Sequence, residues 1–543
     1  VIMTDINSAV RANYDKKGVL FSTEFPPYIK KIEETNISLS EFISQWKGDG
    51  ESEVGLIKCP YYTVKIYSGK SEAKELEMST YSFPLFKQQL FSFGFITLSE
   101  DMFPITVTLK AKDDYVISSA KVIPEKLSVN AVVEQGETTF EIKNFGQFTV
   151  LFNGGENEFL RPLTIFVKRY KEYSIDKSFK IIEFKKGFYE LDRILNCAES
   201  DGLDDKTVVY LHSGAFIKLK KPTLEEKYCI NCFGNKVWGS FIRAQGKKDV
   251  YIVGDGIIDF SALPLHARAP FEFISCNNVT IDGVTAIGAA SWTFTLRDCV
   301  NVNINDIIGI SYRINSDGVA ICNCKDALIQ NSFMCSGDDL FQVKSYHSLA
   351  GNSETGGHNI TFRNCQAWAV KTRCFGFIQE SERDVDGILY EDCSAIYHDA
   401  DFTMTDSFTS MGAFVVVVGD TATIKNVAFK NCDAYTCKAF AINIVLADNF
   451  WTINKEKGCL GRIENVSFSN MRFKTFGKGI QIVNKKLKDR AKNDLSGISF
   501  SDIYIDGKRQ QNYADFLNKI TFLGDADKDC VSSFNGKNTF HNE

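Results

Sequence analysis

The feature that most constrains this chain is a short strand signature that recurs through its C-terminal two thirds. Each copy begins with Asn, Asp or Gly, and its second and fourth residues are apolar. The copies are spaced by 23 to 39 residues. The nine copies end at Ile252, Ile281, Ile304, Ile329, Phe362, Tyr390, Phe429, Phe468 and Phe500. Self-similarity at such spacings indicates a solenoid, because each repeat buries its apolar face only by stacking on its neighbours.

The repeat unit reads as β-structure. Helical periodicity between copies is nearly absent, the Leu ladder of leucine-rich repeats is missing, and no four-stranded propeller blade is visible. Abundant Phe, at 44 residues, and scarce Pro, at 10, also suit strands. We therefore predict an all-β fold whose main part is a right-handed parallel β-helix. The longer spacings predict inserted loops on one side, where solenoids usually carry a binding cleft.

The part of the chain before the repeats follows a different pattern. Residues 51–177 contain short strands, such as 62–67 and 105–109, with turn signals every 8 to 12 residues, which predicts a small antiparallel β-sandwich. Residues 1–50 look partly helical and polar. The predicted division is an N-terminal extension at 1–50, a β-sandwich domain at 51–177 and the β-helix at 178–543.

Charge and composition exclude several function classes. The net charge of -6 argues against a nucleic-acid partner, which would require a basic stripe. No apolar run reaches the ~18 residues of a membrane span. The 16 cysteines lack the paired spacing of zinc sites, so we expect buried, reduced thiols and neither a metal nor a cofactor. The thiols and the polar N-terminus favour the cytoplasm, but secretion stays open if a signal was removed, as does oligomerisation.

Three acidic residues carry the clearest chemistry: Asp317, Asp338 and Asp339. The first two are 21 residues apart, which is about one coil, and stacked coils lie roughly 4.8 Å apart, so the three carboxylates should converge on one face. Clustered acids repel, and at least one should therefore have a raised pKa. A protonated acid beside ionised ones is what glycoside hydrolysis needs. Turn formation and a calcium site are the alternatives.

These motifs resemble those of known glycosidases. Residues 315–318 (Asn-Ser-Asp-Gly) and 337–339 (Gly-Asp-Asp) resemble the Asn-Thr-Asp-Gly and Gly-Asp-Asp signatures of polygalacturonases, glycoside hydrolase family 28. Residues 254–259 look like a turn of the same fold. Segments 146–154 and 163–166 resemble the β-sandwich that precedes the β-helix in dextranases and isopullulanase, family 49.

The resemblance implies an inverting glycoside hydrolase that acts on a poly- or oligosaccharide. It implies Asp338 as the general acid, with Asp317 and Asp339 activating water. The Gly-His-Gly and Arg-Ile-Lys motifs with which polygalacturonases continue are absent in register here. We therefore expect a neutral or unusual glycan rather than pectin.

Further residues are candidates for substrate binding. Charged and polar side chains are expected to line the cleft beside the aspartates. An aromatic ring could stack on a sugar, and a histidine could bind a sugar hydroxyl. Ion pairing and core packing are the competing interpretations of the same residues. The candidates are Asn315, Lys344, Arg373, Glu380, His398 and Trp292.

Two other function classes remain open. A polysaccharide lyase or epimerase on the same fold would need a basic catalyst, for which Arg373 with Lys371 is the candidate, and its unsaturated product would absorb light. A non-catalytic glycan-binding β-helix would lose only affinity when Asp338 is replaced. Insertions near 340–358 and 398–420 would close one end of the cleft and favour exo cleavage.

Overall fold

The computed structural model describes residues 9–539 except for 27, 36, 45–54, 70–73, 86–88, 113–114, 156–157, 192–201, 223–227, 231–235, 347–355, 401–407, 454, 457 and 486–493. The α-helices in this part of the chain are Leu39–Ser44 and Tyr513–Leu517, and neither is long and apolar enough to cross a membrane. Strands account for nearly all other regular structure.

Three parallel faces, A, B and C, build the predicted β-helix, which is confirmed. Face A consists of Ile242–Gln245, Phe271–Ile274, Phe294–Arg297, Val319–Cys322, Phe341–Ser345, Phe375–Ser381, Gly412–Val418, Phe440–Ala447, Ile480–Lys485 and Ile520–Gly524. Face B consists of Lys180–Phe184, Thr207–Leu211, Lys248–Gly254, Asn277–Asp282, Val300–Asn305, Lys325–Gln330, His358–Arg363, Val385–Glu391, Thr423–Lys430 and Val531–Phe534. Face C consists of Gly187–Leu191, Ala215–Leu219, Ile257–Asp259, Thr285–Ile287, Ile308–Ile310, Phe333–Ser336, Gln366–Ala369, Ser394–His398 and Asp433–Ala434. The long strands Arg462–Phe473 and Leu495–Ile505 pass from face B into face C.

The first residue of the repeated signature explains why the coils form. All nine signatures lie on face B, and each first residue has a left-handed backbone, with φ between 54° and 80°. Asn, Asp and Gly are the residues that adopt this conformation at least cost. The nine residues are Asp249, Asn278, Asn301, Asp326, Asn359, Gly387, Asn426, Asn465 and Gly497.

The last residue of the signature points inward and stacks. The rings of Phe362, Tyr390, Phe429, Phe468 and Phe500 form one column, with successive centroids 4.7 to 5.4 Å apart. This spacing is close to the separation of hydrogen-bonded strands, about 4.8 Å, so ring stacking and strand pairing reinforce the same register. The described cysteines are buried and free, and several fill turns between faces A and B.

Two sheets form the N-terminal sandwich. The first has the order Val132–Glu134, Glu137–Ile142, Ile105–Ala111, Tyr62–Ser68 and Lys74–Met78, all antiparallel. The second has the order Ile57–Lys58, Thr80–Leu85, Gln89–Leu98, Leu163–Arg169, Gly146–Phe152 and Ala120–Ile123, with Leu20–Ser22 paired to Gln89–Leu98. One pairing in the second sheet, Leu163–Arg169 with Gln89–Leu98, is parallel. The remaining short strands are Val10–Asn13 with Glu172–Ile175, Cys229–Ile230 with Lys236–Val237, Lys508–Arg509 and Lys537–Asn538.

The second sheet of the sandwich packs against face C. Phe91 and Phe93 from the sandwich join Phe333 and Trp368 from the β-helix in one apolar core, and Trp368 is fully buried there. Aromatic rings dominate such an interface because each buries a large area. Among the described residues, this shared apolar core contains no residue of a face A strand. The division at residues 50 and 177 stays a prediction.

Candidate active site

The three predicted aspartates meet where two neighbouring strands of face A begin. Asp317 lies two residues before Val319–Cys322, and Asp338 and Asp339 lie just before Phe341–Ser345. These two strands are paired in parallel. One carboxylate oxygen from each aspartate lies within 4.8 Å of the others. The single-coil offset read from the sequence therefore brings the three acids together.

Asp338 is the acid most open to solvent. Asp317 and Asp339 are buried, whereas Asp338 is partly exposed. Its two oxygens accept hydrogen bonds from the backbone N–H groups of Asn315 and Asp339, each at 2.9 Å. Burial and the neighbouring Asp339 charge raise the pKa of Asp338 from 3.8 to about 6.

Asp317 is buried beneath the cleft. One of its oxygens accepts a hydrogen bond from Gln342 Nε2 at 2.6 Å, and the other has no partner among the described residues. Burial, and then repulsion from Asp338, raise the pKa of Asp317 well above its usual range. Asp317 and Asp338 therefore titrate as a coupled pair. Such a pair retains a proton at a pH at which isolated carboxyl groups are already ionised.

Asp339 is held by a buried guanidinium. Both of its oxygens lie 3.0 Å from Arg373 Nη1, and the two side chains are 3% and 1% exposed. Arg373 also donates to Gln379 and to the backbone and hydroxyl oxygens of Ser410. Arg373 therefore places a buried positive charge directly against Asp339 and connects it to Ser410.

Lys344, Glu380 and Trp292 form a second cluster beside the acids. Lys344 Nζ is 2.6 Å from a Glu380 oxygen and 4.8 Å from the centre of the Trp292 ring. Burial disfavours the charged form of Lys344, but Glu380, Asp317 and Asp339 outweigh this and raise its pKa. Lys344 is therefore a fixed positive charge between the aspartates and Trp292.

The remaining two candidates occupy different positions. Asn315 has a left-handed backbone, φ 56°, which aims its N–H at Asp338 while its side chain meets His266 Nε2 at 3.1 Å. His398 ends a strand of face C and is 1% exposed, and burial lowers its pKa to about 4. No hydrogen bond joins His398 to the three aspartates in the described chain.

Several residues of the site escaped the sequence argument. Gln342, His266 and Arg313 were not singled out, although Arg313 fastens the site by donating to the carbonyls of Ser261 and Leu263 at 2.7 and 2.6 Å. Gln342 could have been found, since it alternates with the inward residues of its strand. His266 and Ser261 lie about two coils away in the chain and carry no local signal.

The same carboxylates could also hold a cation. Three oxygens within 4.8 Å of one another match the oxygen ligands that Ca²⁺ takes. Lys344 and Arg373 already supply positive charge to this cluster. The expectation that no metal is needed stays a prediction.

The overall fold, a parallel β-helix with a β-sandwich packed against it, is similar to that of a known protein. Dex49A from Penicillium minioluteum superposes with a TM-score of 0.58 at 12% identity, covering 87% of this chain and 94% of that one. The chain thus has the fold of a β-helical glycosidase.

The family comparison is more specific. The model of "Glycosyl hydrolases family 28" matches residues 235–366, about a quarter of the chain, which includes all three aspartates. This confirms the resemblance seen in the motifs and supports a glycoside hydrolase. An exopolygalacturonase from Thermotoga maritima is also similar, with a TM-score of 0.48 and 16% identity over 61% of this chain and 85% of that one. A search by sequence among curated proteins finds no match.

Proposed function

We propose that the protein hydrolyses glycosidic bonds with inversion, using Asp338 as general acid and Asp317 with Asp339 as the groups that activate water. The observation that carries the proposal is the single partly exposed acid of the cluster, Asp338, with a pKa raised to about 6. A general acid works best when its pKa lies near the working pH.

The proposed step balances its protons within the cluster. Asp338 gives its proton to the leaving glycosidic oxygen as the bond to the anomeric carbon breaks. Water attacks that carbon from the other side and passes a proton to Asp317 or Asp339. Burial and Asp338 raise the pKa of Asp317 well above its usual range, and Gln342 and Lys344 oppose this shift only in part. The role of Asp317 as a base therefore requires that the proton shared by the coupled pair lies on Asp338.

The stereochemical part of the proposal rests on the resemblance. Carboxyl separations of about 6.5–9.5 Å are typical of inverting enzymes, and about 5–5.5 Å of retaining ones. Here one oxygen of each aspartate lies within 4.8 Å of the others, and this oxygen–oxygen limit is compatible with either range of carboxyl separation. The anomer of the first product, observed by NMR, decides between the two outcomes. A retained anomer would contradict the assigned roles.

The charges of the cleft support a neutral glycan. Lys344 is paired with Glu380, and Arg373 with Asp339. A galacturonate carboxylate would need a cation that is not already paired in this way. The same pairing of Arg373 disfavours the lyase alternative, because a guanidinium locked between Asp339 and Ser410 is poorly placed to abstract a proton.

A glycan panel with two proteins tests the proposal. Wild type and Asp338→Asn are incubated with dextran, pullulan, α-1,3-glucan and polygalacturonic acid, and reducing ends and absorbance of unsaturated sugars are followed. We expect reducing ends from a neutral glycan with wild type, and a loss of about 10²–10⁴-fold in the variant, the usual contribution of a general acid. Unsaturated products would contradict hydrolysis.

A further inference from the structure

The outer surface of face A changes character at the aspartates. Strand residues that point outward alternate with those that point into the core. Before and at the aspartate coils, the outward residues are mainly polar: Arg243, Glu272, Thr295, Arg297, Gln342 and Lys344. In register with Ile378 on the following coils stand Val417, Val445 and Val483, and beside them Val415 is followed by Asn443 and Gln481.

These valines are covered although they face away from the core. Each is 0% exposed, and together with Ile378 they form a separate apolar cluster with Phe408. Ile378 lies on the coil directly after the Asp338 coil. Burying such side chains contributes about 1.5–3 kcal/mol each, so the cover is a stable part of the fold.

Residues 408–411 are fastened to this surface by buried polar groups. Asn443 Nδ2 donates to the carbonyls of Thr409 and Met411 at 2.8 and 2.9 Å, and Gln481 Nε2 donates to Thr409 at 2.6 Å. Arg373 Nε donates to the Ser410 carbonyl at 2.9 Å. The guanidinium that holds Asp339 therefore also anchors the cover.

On the opposite side of the aspartates, the described residues form a groove. A groove of about 500 Å³ is bordered by Trp292, Arg297, Glu272, Arg243 and Tyr228. Tyr228 is 44% exposed. Aromatic rings over a polar floor suit a sugar chain, whose rings have an apolar face and a hydroxyl rim.

We infer that the cleft is closed on its C-terminal side and that the protein acts on chain ends. This inference rests on the proposed function. The coil that carries Ile378 lies one strand spacing, about 4.8 Å, from the Asp338 coil. This distance is about the length of one sugar unit in a chain. A polysaccharide therefore enters from the Trp292 side, and each turnover releases a short product of constant length.

The product pattern of the wild-type protein tests this. With the cleaved glycan of the panel above, products are resolved by chromatography and viscosity is measured against reducing ends. We expect one short product from the earliest time point and little loss of viscosity. A ladder of internal fragments would overturn the inference and leave the hydrolase intact. No cleavage of any glycan would overturn both.

A pair of variants tests the cover itself. Asn443→Ala combined with Gln481→Ala removes three hydrogen bonds to residues 408–411, and we expect longer products to appear. Lys425→Ala, which removes an exposed ion pair with Asp386 on face B, is the control and should keep the wild-type pattern. If the double variant folds, shown by its circular dichroism, and still releases only the short product, residues 408–411 do not close the cleft. If the double variant does not fold, the product pattern of the wild-type protein alone tests the inference.

Discussion

Replacing Asp338 by Asn should stabilise the fold at pH 8 and destabilise it at pH 4. The pKa of Asp338 rises from 3.8 to about 6 on folding, because burial and Asp339 disfavour its charge. Between these values the folded chain retains a proton that the unfolded chain has lost. Stability therefore falls as pH rises through this window, and the loss is complete above pH 6. Asn does not ionise, so the variant does not lose stability in this pH window.

The magnitude follows from the pKa values and one hydrogen bond. A change from 3.8 to about 6, at about 1.36 kcal/mol per pKa unit, costs the wild type about 3 kcal/mol at pH 8. The variant loses an acceptor, because its NH₂ group replaces the oxygen that accepts from Asn315 N–H, at a cost of about 1 kcal/mol. The net gain is about 2 kcal/mol at pH 8. At pH 4 the ionisation penalty of the wild type is only about 0.5 kcal/mol, so the variant shows a net loss of about 0.5 kcal/mol.

The neighbouring aspartate provides a matched control. Asp339→Asn breaks the buried pair with Arg373 and should cost about 3–5 kcal/mol at either pH. Urea unfolding of the three proteins, followed by tryptophan fluorescence at pH 4, 6 and 8, measures these differences. The reasoning is refuted if Asp338→Asn does not gain stability relative to wild type between pH 4 and pH 8, or if both variants respond alike.

Four further outcomes are expected. Activity should fall as pH rises above about 6, because Asp338 must be protonated to act, and a pH–rate profile shows this limb. The Arg373→Met variant should be about 3–5 kcal/mol less stable in urea unfolding, because the substitution leaves the buried Asp339 carboxylate unpaired. The control Lys474→Met breaks an exposed pair with Asp506 and should leave the free energy of unfolding nearly unchanged. Trp292→Ala should raise KM about tenfold with kcat nearly unchanged, which steady-state kinetics measure, and Trp292→Phe should retain most of the affinity. Dialysis against EDTA should leave activity intact; a loss that Ca²⁺ restores would show that the aspartates hold a cation.

Much of the fold was predictable because its determinants are local. Asn278 and Asn301 adopt a left-handed backbone at the start of face B strands, and their residue types alone favour it. Phe429 and Phe468 stack because they occupy the same place in successive repeats. The parallel pair within the sandwich was not predicted, since strand direction depends on connections rather than on local pattern.

The candidate site was predictable only in part. Asp317 and Asp338 could be placed together because one coil separates them and the coils are short there. Arg373 and Glu380 were expected to touch substrate, which stays untested; the structure pairs them with Asp339 and Lys344, 34 and 36 residues away. Sequence spacing could not show these pairs, because loops between faces vary in length.

By itself, the sequence determined the coils of this protein and the position of its three aspartates, since both follow from backbone preferences and one repeat length. Only the tertiary structure decided which charges neutralise each other and which part of the cleft is covered. Residues 408–411 reach Asn443 and Gln481 across one and two coils, and Arg373 joins them to Asp339. Such contacts depend on how inserted loops fold back over face A, and no periodic pattern encodes that path.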